Sequence, residues 1–354
     1  MKIIFKIQML KTTIKYLLSI ILVIILFIGL SCKNYEFNNP VDYGLYNYSL
    51  SQTITGNSDK ITSVNFSPDG NLLSSGCLDG TIKLWNTKGN LIRTITENRY
   101  EVNTVVFSPD GNILASGGSY DGVKLWSVSN GSLIRTLKKD SLTGYIVKSL
   151  AFSPDGSTLA SVGEIYVNNN VADIGVRLWN VSDGNFIKSF NNDHYYYGDR
   201  TLENSVAFSP DGSMIASGDD NGNIDLWSVN DGSRLKTFKI YINVNIAFSP
   251  DNRLLAAGGL GEIKLWEIKD SKLLKTFASA PDEYNSVAIS HNGKIFANGG
   301  NEISLWAVNN LELKPIMIGF NENIKSIAFS PDDNLIASSG NDNIKIWKLA
   351  IGHK

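Results

Sequence analysis

Two cysteines and three histidines in 354 residues leave little material for thiol, metal or imidazole chemistry. The cysteines, Cys32 and Cys77, allow no disulfide framework, so the fold must close by packing. The histidines cannot meet. His291 stands in a turn between two strands, His194 in a longer connection and His353 in the tail, and successive antiparallel strands put the first two at opposite ends. A histidine-based acid–base or metal site is therefore not expected. A basic excess is missing as well: the net charge is −2, which argues against a nucleic-acid groove with its basic stripe. The one long apolar run, Tyr16 to Leu30 (YLLSIILVIILFIGL), is short of the roughly 20 residues that a spanning helix needs. Glycine pairs at Gly117-Gly118, Gly258-Gly259 and Gly299-Gly300 lack the following helix and lysine of a phosphate loop, so they read as turns.

No acidic residue occurs among the first 31, whereas Lys2, Lys6, Lys11 and Lys15 precede the apolar run. A basic region followed by an apolar stretch of this length predicts an export signal over residues 1–31. The run ends in Gly29-Leu30-Ser31 and then Cys32, which resembles a bacterial lipoprotein signal. That family acylates the cysteine, which becomes the mature N-terminus. Ser31 fits its pattern, while Leu30 and Gly29 stand in the reverse of the usual order. The resemblance implies lipid on Cys32, a cell-envelope location outside the cytoplasm, and a polar and aromatic tether over 32–48. Losing the four lysines of the signal would take the net charge from −2 to −6.

The rest of the chain repeats. VNFSPDGNLLSSGCLDGTIKLW (Val64 to Trp85) returns as VAFSPDGSMIASGDDNGNIDLW (Val206 to Trp227) and as IAFSPDDNLIASSGNDNIKIW (Ile327 to Trp347). Trp85, Trp126, Trp179, Trp227, Trp266, Trp306 and Trp347 mark seven copies, spaced 41, 53, 48, 39, 40 and 41 residues apart. Each copy predicts four short strands. In the fourth, these are Val206 to Phe208, Met214 to Ala216, Ile224 to Trp227 and Arg234 to Phe238. Between the first two, Pro210 presets a turn that Gly212 relaxes.

The FSPDG turns at Phe66, Phe107, Phe152 and Phe208, their partial forms at Phe248, Ile289 and Phe329, and the (I/V)xLW strands resemble the WD40 family over residues 49–349. Two departures stand out. The family's Asp after the Trp is absent from every copy, replaced by Asn86, Ser127, Asn180, Ser228, Glu267, Ala307 and Lys348. The Gly-His before the first strand is absent too, reading Gly56-Asn57 in the first copy. Asp79 and Asp121 keep the acidic position of the family's histidine-centred network. The resemblance implies an all-β, seven-bladed propeller of four-stranded antiparallel blades over 49–354. Its seventh copy ends after three strands, and Leu50 to Ile54 parallels Leu91 to Ile95. Residues 49–55 are thus expected to close blade seven. Pro315 is expected in the outer strand of blade six, where one edge is unpaired.

Turns between the first and second and between the third and fourth strands share one face and are all short. The long insertions, Lys138 to Ile146, Gly163 to Gly175 and Asn191 to Asn204, fall on the opposite face around blade three. Tyr100, Tyr145, Tyr166, Tyr195, Tyr196 and Tyr197 are expected in the loops there, with Arg99, His194 and Arg200. Tyrosine and arginine anchor protein interfaces because they bury area while keeping a polar handle. The expectation is a non-catalytic scaffold for other proteins, reaching the membrane through its N-terminal lipid and binding no nucleic acid. No cofactor or metal is expected. Asp219, Asn221, Asn223 and Asp225 alternate like calcium ligands, but Ile224 and Asn230 stand where such a loop needs Gly and Glu. The alternatives are a propeller hydrolase or lyase and a carbohydrate- or peptide-binding surface lipoprotein. The innermost strands, read as Val, Ala, Ser and Asn types, offer an enzyme little.

Overall fold

The computed structural model describes residues 48–57, 59–96, 100–120, 122–137, 144–167, 170–173, 175–191, 203–278, 286–311, 316–318 and 324–349. They form seven antiparallel sheets in a propeller arrangement. Blade one runs from the innermost strand Ile61–Phe66 through Leu72–Cys77 and Ile82–Asn86 to the outer strand Leu91–Ile95. Blades two, four, five and six repeat this meander over 102–137, 203–239, 245–278 and 286–318. In blade three the hairpin of Gly144–Phe152 and Thr158–Val167 is longer, and the short strand Asn170–Asp173 adds a fifth member.

Blade seven has three strands of its own, Ile327–Phe329, Leu335–Ser339 and Ile344–Leu349; its fourth is Tyr48–Ile54 from the other end of the sequence. The expected closing strand is thus present, starting and ending one residue earlier than 49–55. Ile54 and Tyr48 are buried at its two ends, and the Tyr48 hydroxyl donates to the carbonyl of Asp333. Further contacts cross the same seam. The amide of Ile61 donates to Asn341 O at 2.9 Å, and that of Val64 to Ser326 Oγ at 3.1 Å.

Both faces of each blade are covered, so the cores lie between blades rather than within them. Leu125 and Val123 of blade two pack with Val147 and Trp179 of blade three, and Ile224 and Phe238 of blade four pack with Trp266 of blade five. This is why the second and third strands read as continuous apolar runs, not as alternating ones. In five blades the buried indole N–H finds the same partner: Trp85 donates to Ser75 Oγ, Trp126 to Ser116, Trp179 to Ser161, Trp227 to Ser217 and Trp347 to Ser338, at 2.7–3.0 Å. A buried donor left without a partner costs about 1–3 kcal/mol, so the serine on the second strand is as much a part of the repeat as the tryptophan.

Two rings of side chains tie neighbouring blades. Near the axis, Ser63, Ser149, Ser205, Ser286 and Ser326 each accept from the backbone amide of the next innermost strand, at 3.1–3.3 Å. On the rim, one position of the outer strand reaches the turn of the next blade: Gln52 to Lys88 O, Arg93 to Asn130 and Ser129 O, Arg135 to Asp183 and Ser182 O, Lys188 to Asn230 O, Lys236 to Lys269 O. The turn must have room for it. Gly131 has φ +76°, and a Cβ there would lie 2.5 Å from Arg93 Cδ. The position of Pro315 lies outside the described residues.

Candidate functional site

Hydrogen bonds separate the two faces. In blades two to seven the chain at the end of the third strand bonds to the turn after the first strand of the same blade, as in Val128 N to Asn112 O and Val229 N to Ser213 O. On the opposite face the turn after the second strand bonds to the connection between blades, as in Leu78 N to Lys60 O, Ser119 N to Glu101 O and Leu260 N to Ile242 O. This second, connection face is the one on which the long insertions fall.

Tyr100 and Tyr120 meet there. Their ring centroids are 5.4 Å apart at 56°, one from the connection between blades one and two and the other from the turn inside blade two. Both are exposed, 47% and 51%. Tyr120 has φ +63°, a left-handed backbone that a bulky residue rarely adopts and that costs of order 1–3 kcal/mol. Beneath the pair, the Ser119 hydroxyl donates to Glu101 Oε1 at 2.6 Å and holds the Glu101 carboxyl below its ordinary range. Leu78, on the neighbouring turn of blade one, is exposed as well.

Tyr145 differs from expectation. It lies on the innermost strand of blade three rather than in a loop, and it is 6% exposed. Its hydroxyl donates to Ser161 Oγ at 2.8 Å, the same oxygen that accepts from Trp179, and the Arg177 guanidinium lies 5.3 Å from its ring centroid. A tyrosine thus completes the Ser–Trp pair in blade three, and it is spent on the core. In blade one Asn57 takes the corresponding place, accepting from Ser75 Oγ at 3.4 Å. Tyr166 is likewise on a strand, the second of blade three, paired with Gly144. Arg99, His194, Tyr195, Tyr196, Tyr197, Arg200 and Cys32 lie outside the described residues.

Sequence reasoning missed three features. Tyr241, in the connection between blades four and five, is 63% exposed beside a shallow hollow of about 480 Å³ with Ile240, Leu260 and Lys264. Tyr120 was legible as an aromatic residue in a turn where blade one has Asp79 and blade four Asn221. The innermost strands also carry charge: Lys148 occupies the bulge position equivalent to Thr62 and Asn103, and its Nζ lies 3.5 Å from the buried Glu164. The reading of these strands as Val, Ala, Ser and Asn types therefore needs this correction. In the alternating acidic turn of blade four, Asp219 Oδ1 accepts from the Asn223 amide at 2.7 Å and Oδ2 from its side chain at 2.6 Å, so both oxygens serve the turn. Among the described residues, no three His, Cys, Asp or Glu side chains are grouped to hold a metal ion.

Seven sheets closed by a borrowed strand, with short turns on one face and long connections on the other, define a β-propeller. The family model described as WD domain, G-beta repeat, matches residues 48–86, 89–127, 131–180, 197–228, 232–267 and 313–348, more than half of the chain, and the chain belongs to this family. Apart from 197–228, which starts past the outer strand of blade three, each matched unit begins at the outer strand of one blade and ends at the third strand of the next, so the sequence repeat is offset from the blade by one strand. Residues 268–312, which hold the inner three strands of blade six, fall between matches. A search of curated proteins finds no match.

Proposed function

We propose that the chain is a non-catalytic scaffold that captures other proteins on its connection face, anchored outside the cytoplasm of a bacterial cell by lipid on Cys32. The observation that carries the capture surface is the exposed Tyr100–Tyr120 pair, with Tyr120 in a strained backbone. Strain of this kind persists where the surroundings over-determine it, and aromatic rings held outward are the residues that dominate interface energetics. Leu78 and the long connections around blade three, with Tyr195, Tyr196 and Tyr197, would extend the same surface. The anchoring rests on the basic and apolar run that ends at Ser31-Cys32, and on the 15 residues that separate Cys32 from the closing strand.

Capture from the native envelope tests both parts. Changing Tyr100 and Tyr120 to Ser should weaken capture more than tenfold, since truncating an anchoring aromatic costs about 2 kcal/mol or more. Asn86, Lys88 and Asn90 changed to Ser on the opposite face should leave it unaltered. Cys32→Ser should abolish palmitate labelling and release the protein from membranes, because stable anchoring takes two or more acyl chains.

A further inference from the structure

The face of short turns has a cavity of its own. It measures about 510 Å³ and is lined by innermost-strand residues of blades one, two, five, six and seven, which places it on the propeller axis. Strand alternation makes its wall. Phe66, Phe107 and Phe329 turn into the blade interfaces and are buried, while Asn65, Val106, Ala247, Ala288 and Ala328 remain half-buried toward the axis. The equivalent residues of blades three and four are Ala151 and Ala207, so the side chains of the wall are mostly apolar, with Asn65 and His291 the polar ones among its lining. Its volume falls in the range of about 300–1,000 Å³ typical of ligand sites.

The mouth has the opposite character. The Ser-Pro-Asp-Gly turns adjoin in a ring: a Cβ on Gly111 would lie 3.6 Å from Pro68 Cδ, one on Gly156 3.4 Å from Pro109, and one on Gly212 3.4 Å from Pro154. The same turns carry Asp69, Asp110, Asp155, Asp211, Asp251 and Asp332, each exposed. The hydroxyl two residues earlier donates to each, from Ser67 to Asp69 at 2.5 Å and from Ser330 to Asp332 at 2.6 Å. These bonds hold the first four carboxyls below the usual range. At Asp251 and Asp332 burial pushes upward, and the serine and backbone bonds still leave the carboxyl lowered. The same turns contribute two cations, Arg253, which lies 3.4 Å from Asp251, and Lys294.

An apolar pit ringed by ionised carboxylates repels acidic chains and offers a polar chain nothing to bury. We infer that this axial mouth is a second docking site, for a partner-protein segment with a short apolar core flanked by lysine or arginine. The apolar residues fill the pit and the cations meet the aspartates. The site lies on the opposite face from the tyrosine surface and does not depend on it.

The probe is the spin-labelled peptide Lys-Lys-Leu-Phe-Leu-Lys-Lys, against its Glu-flanked counterpart and a Lys-flanked Ser-Gly-Ser peptide. The Lys-flanked apolar peptide should bind at least tenfold more tightly than either, and more weakly as salt rises. Asp69→Asn, Asp110→Asn and Asp332→Asn together keep the acceptor oxygen of each turn and should cost at least tenfold, with a flatter salt dependence. The Tyr100→Ser/Tyr120→Ser protein should bind the peptide as the unchanged chain does, which separates this site from the capture surface. In the unchanged protein the spin label should broaden the methyl signals of Ala247, Ala288 and Ala328. Broadening confined to the Tyr241 hollow, or equal binding of the Glu-flanked peptide, overturns the inference. Tighter binding of decyltrimethylammonium than of the peptide makes the occupant a small amphiphile and overturns it too.

Discussion

The backbone amide of His291 donates to Oδ1 of Asp333 at 2.7 Å, and the amide of Asn292 to Oδ2 at 2.8 Å, joining the first turns of blades six and seven. In the other blades the first position is proline, and the second is glycine except in blade five, where it is Asn252. Here both have changed together. Proline has no N–H to give, and glycine has no carboxylate to receive one. Asp333 accepts a left-handed backbone, φ +57°, and is buried with these amides. His291→Pro should therefore cost about 1–3 kcal/mol by removing one of the donors to a buried carboxylate, although the proline itself suits the turn. Asp333→Gly added to it should recover most of that loss. Urea unfolding of the two singles and the double measures the coupling; additive effects would show that the pair is incidental.

The closing strand makes a second expectation. A chain starting at Gly56 lacks the strand that pairs with Ile344–Leu349 and leaves that edge open, whereas one starting at Tyr46 keeps it. The first should melt far below the second, because the core of blades seven and one loses Ile54 and that of blades six and seven loses the Tyr48 ring that packs on Phe329. Equal melting temperatures would mean that the seam contacts of Ile61 and Val64 close the ring alone.

The seven blades and the borrowed strand were legible because each rests on a repeated local signal: a tryptophan at a fixed interval, a turn with Pro and Gly, an apolar run. Tyr145 was not legible. Its place in the sequence borders an insertion, and only pairing with Ile165 extends the hairpin of blade three far enough to bring it onto Ser161. The rim contacts were half legible. Arg93, Arg135, Lys188 and Lys236 recur at one position, but their partners are carbonyls of the next blade, and a backbone acceptor leaves no mark in sequence. His291 and Asp333 are each visible as a departure, 42 positions apart, and nothing local joins them.

The turns of the acidic face set a pH dependence. Asp69, Asp110, Asp155 and Asp211 have carboxyls lowered chiefly by the Ser hydroxyl of the same turn. The unfolded chain then binds more protons than the folded one as pH falls through the ordinary aspartate range, so stability rises with pH there. It should be fully present above that range and lost progressively below about pH 4. Each group is exposed, so each contribution is small, and the sum is what a melting series from pH 6 to pH 2 would detect. Ser67→Ala, Ser108→Ala and Ser153→Ala together should flatten that acid limb; an unaltered limb would assign it to other groups.

Cys77 gives the last test. Its side chain is buried in the core shared by blades seven and one, beside Asn57, and burial pushes the thiol from 9.0 up to about 11. The Thr81 hydroxyl and the charges of Asp79, Lys83 and Asp59 are smaller influences than burial. The thiolate is the reactive form, so at pH 8 the folded protein should resist a thiol reagent on both counts, access and ionisation. The same shift links to stability with a definite sign. Between pH 9 and pH 11 the folded state keeps the proton that the unfolded state gives up, so stability is full below pH 9 and falls as pH rises through 11. The loss should approach about 3 kcal/mol. Cys77→Ala should remove this alkaline slope while opening little space, as the two side chains differ by one sulfur. Labelling of Cys77 in the folded chain at pH 8, as fast as in urea, would place the thiol at the surface and contradict its burial.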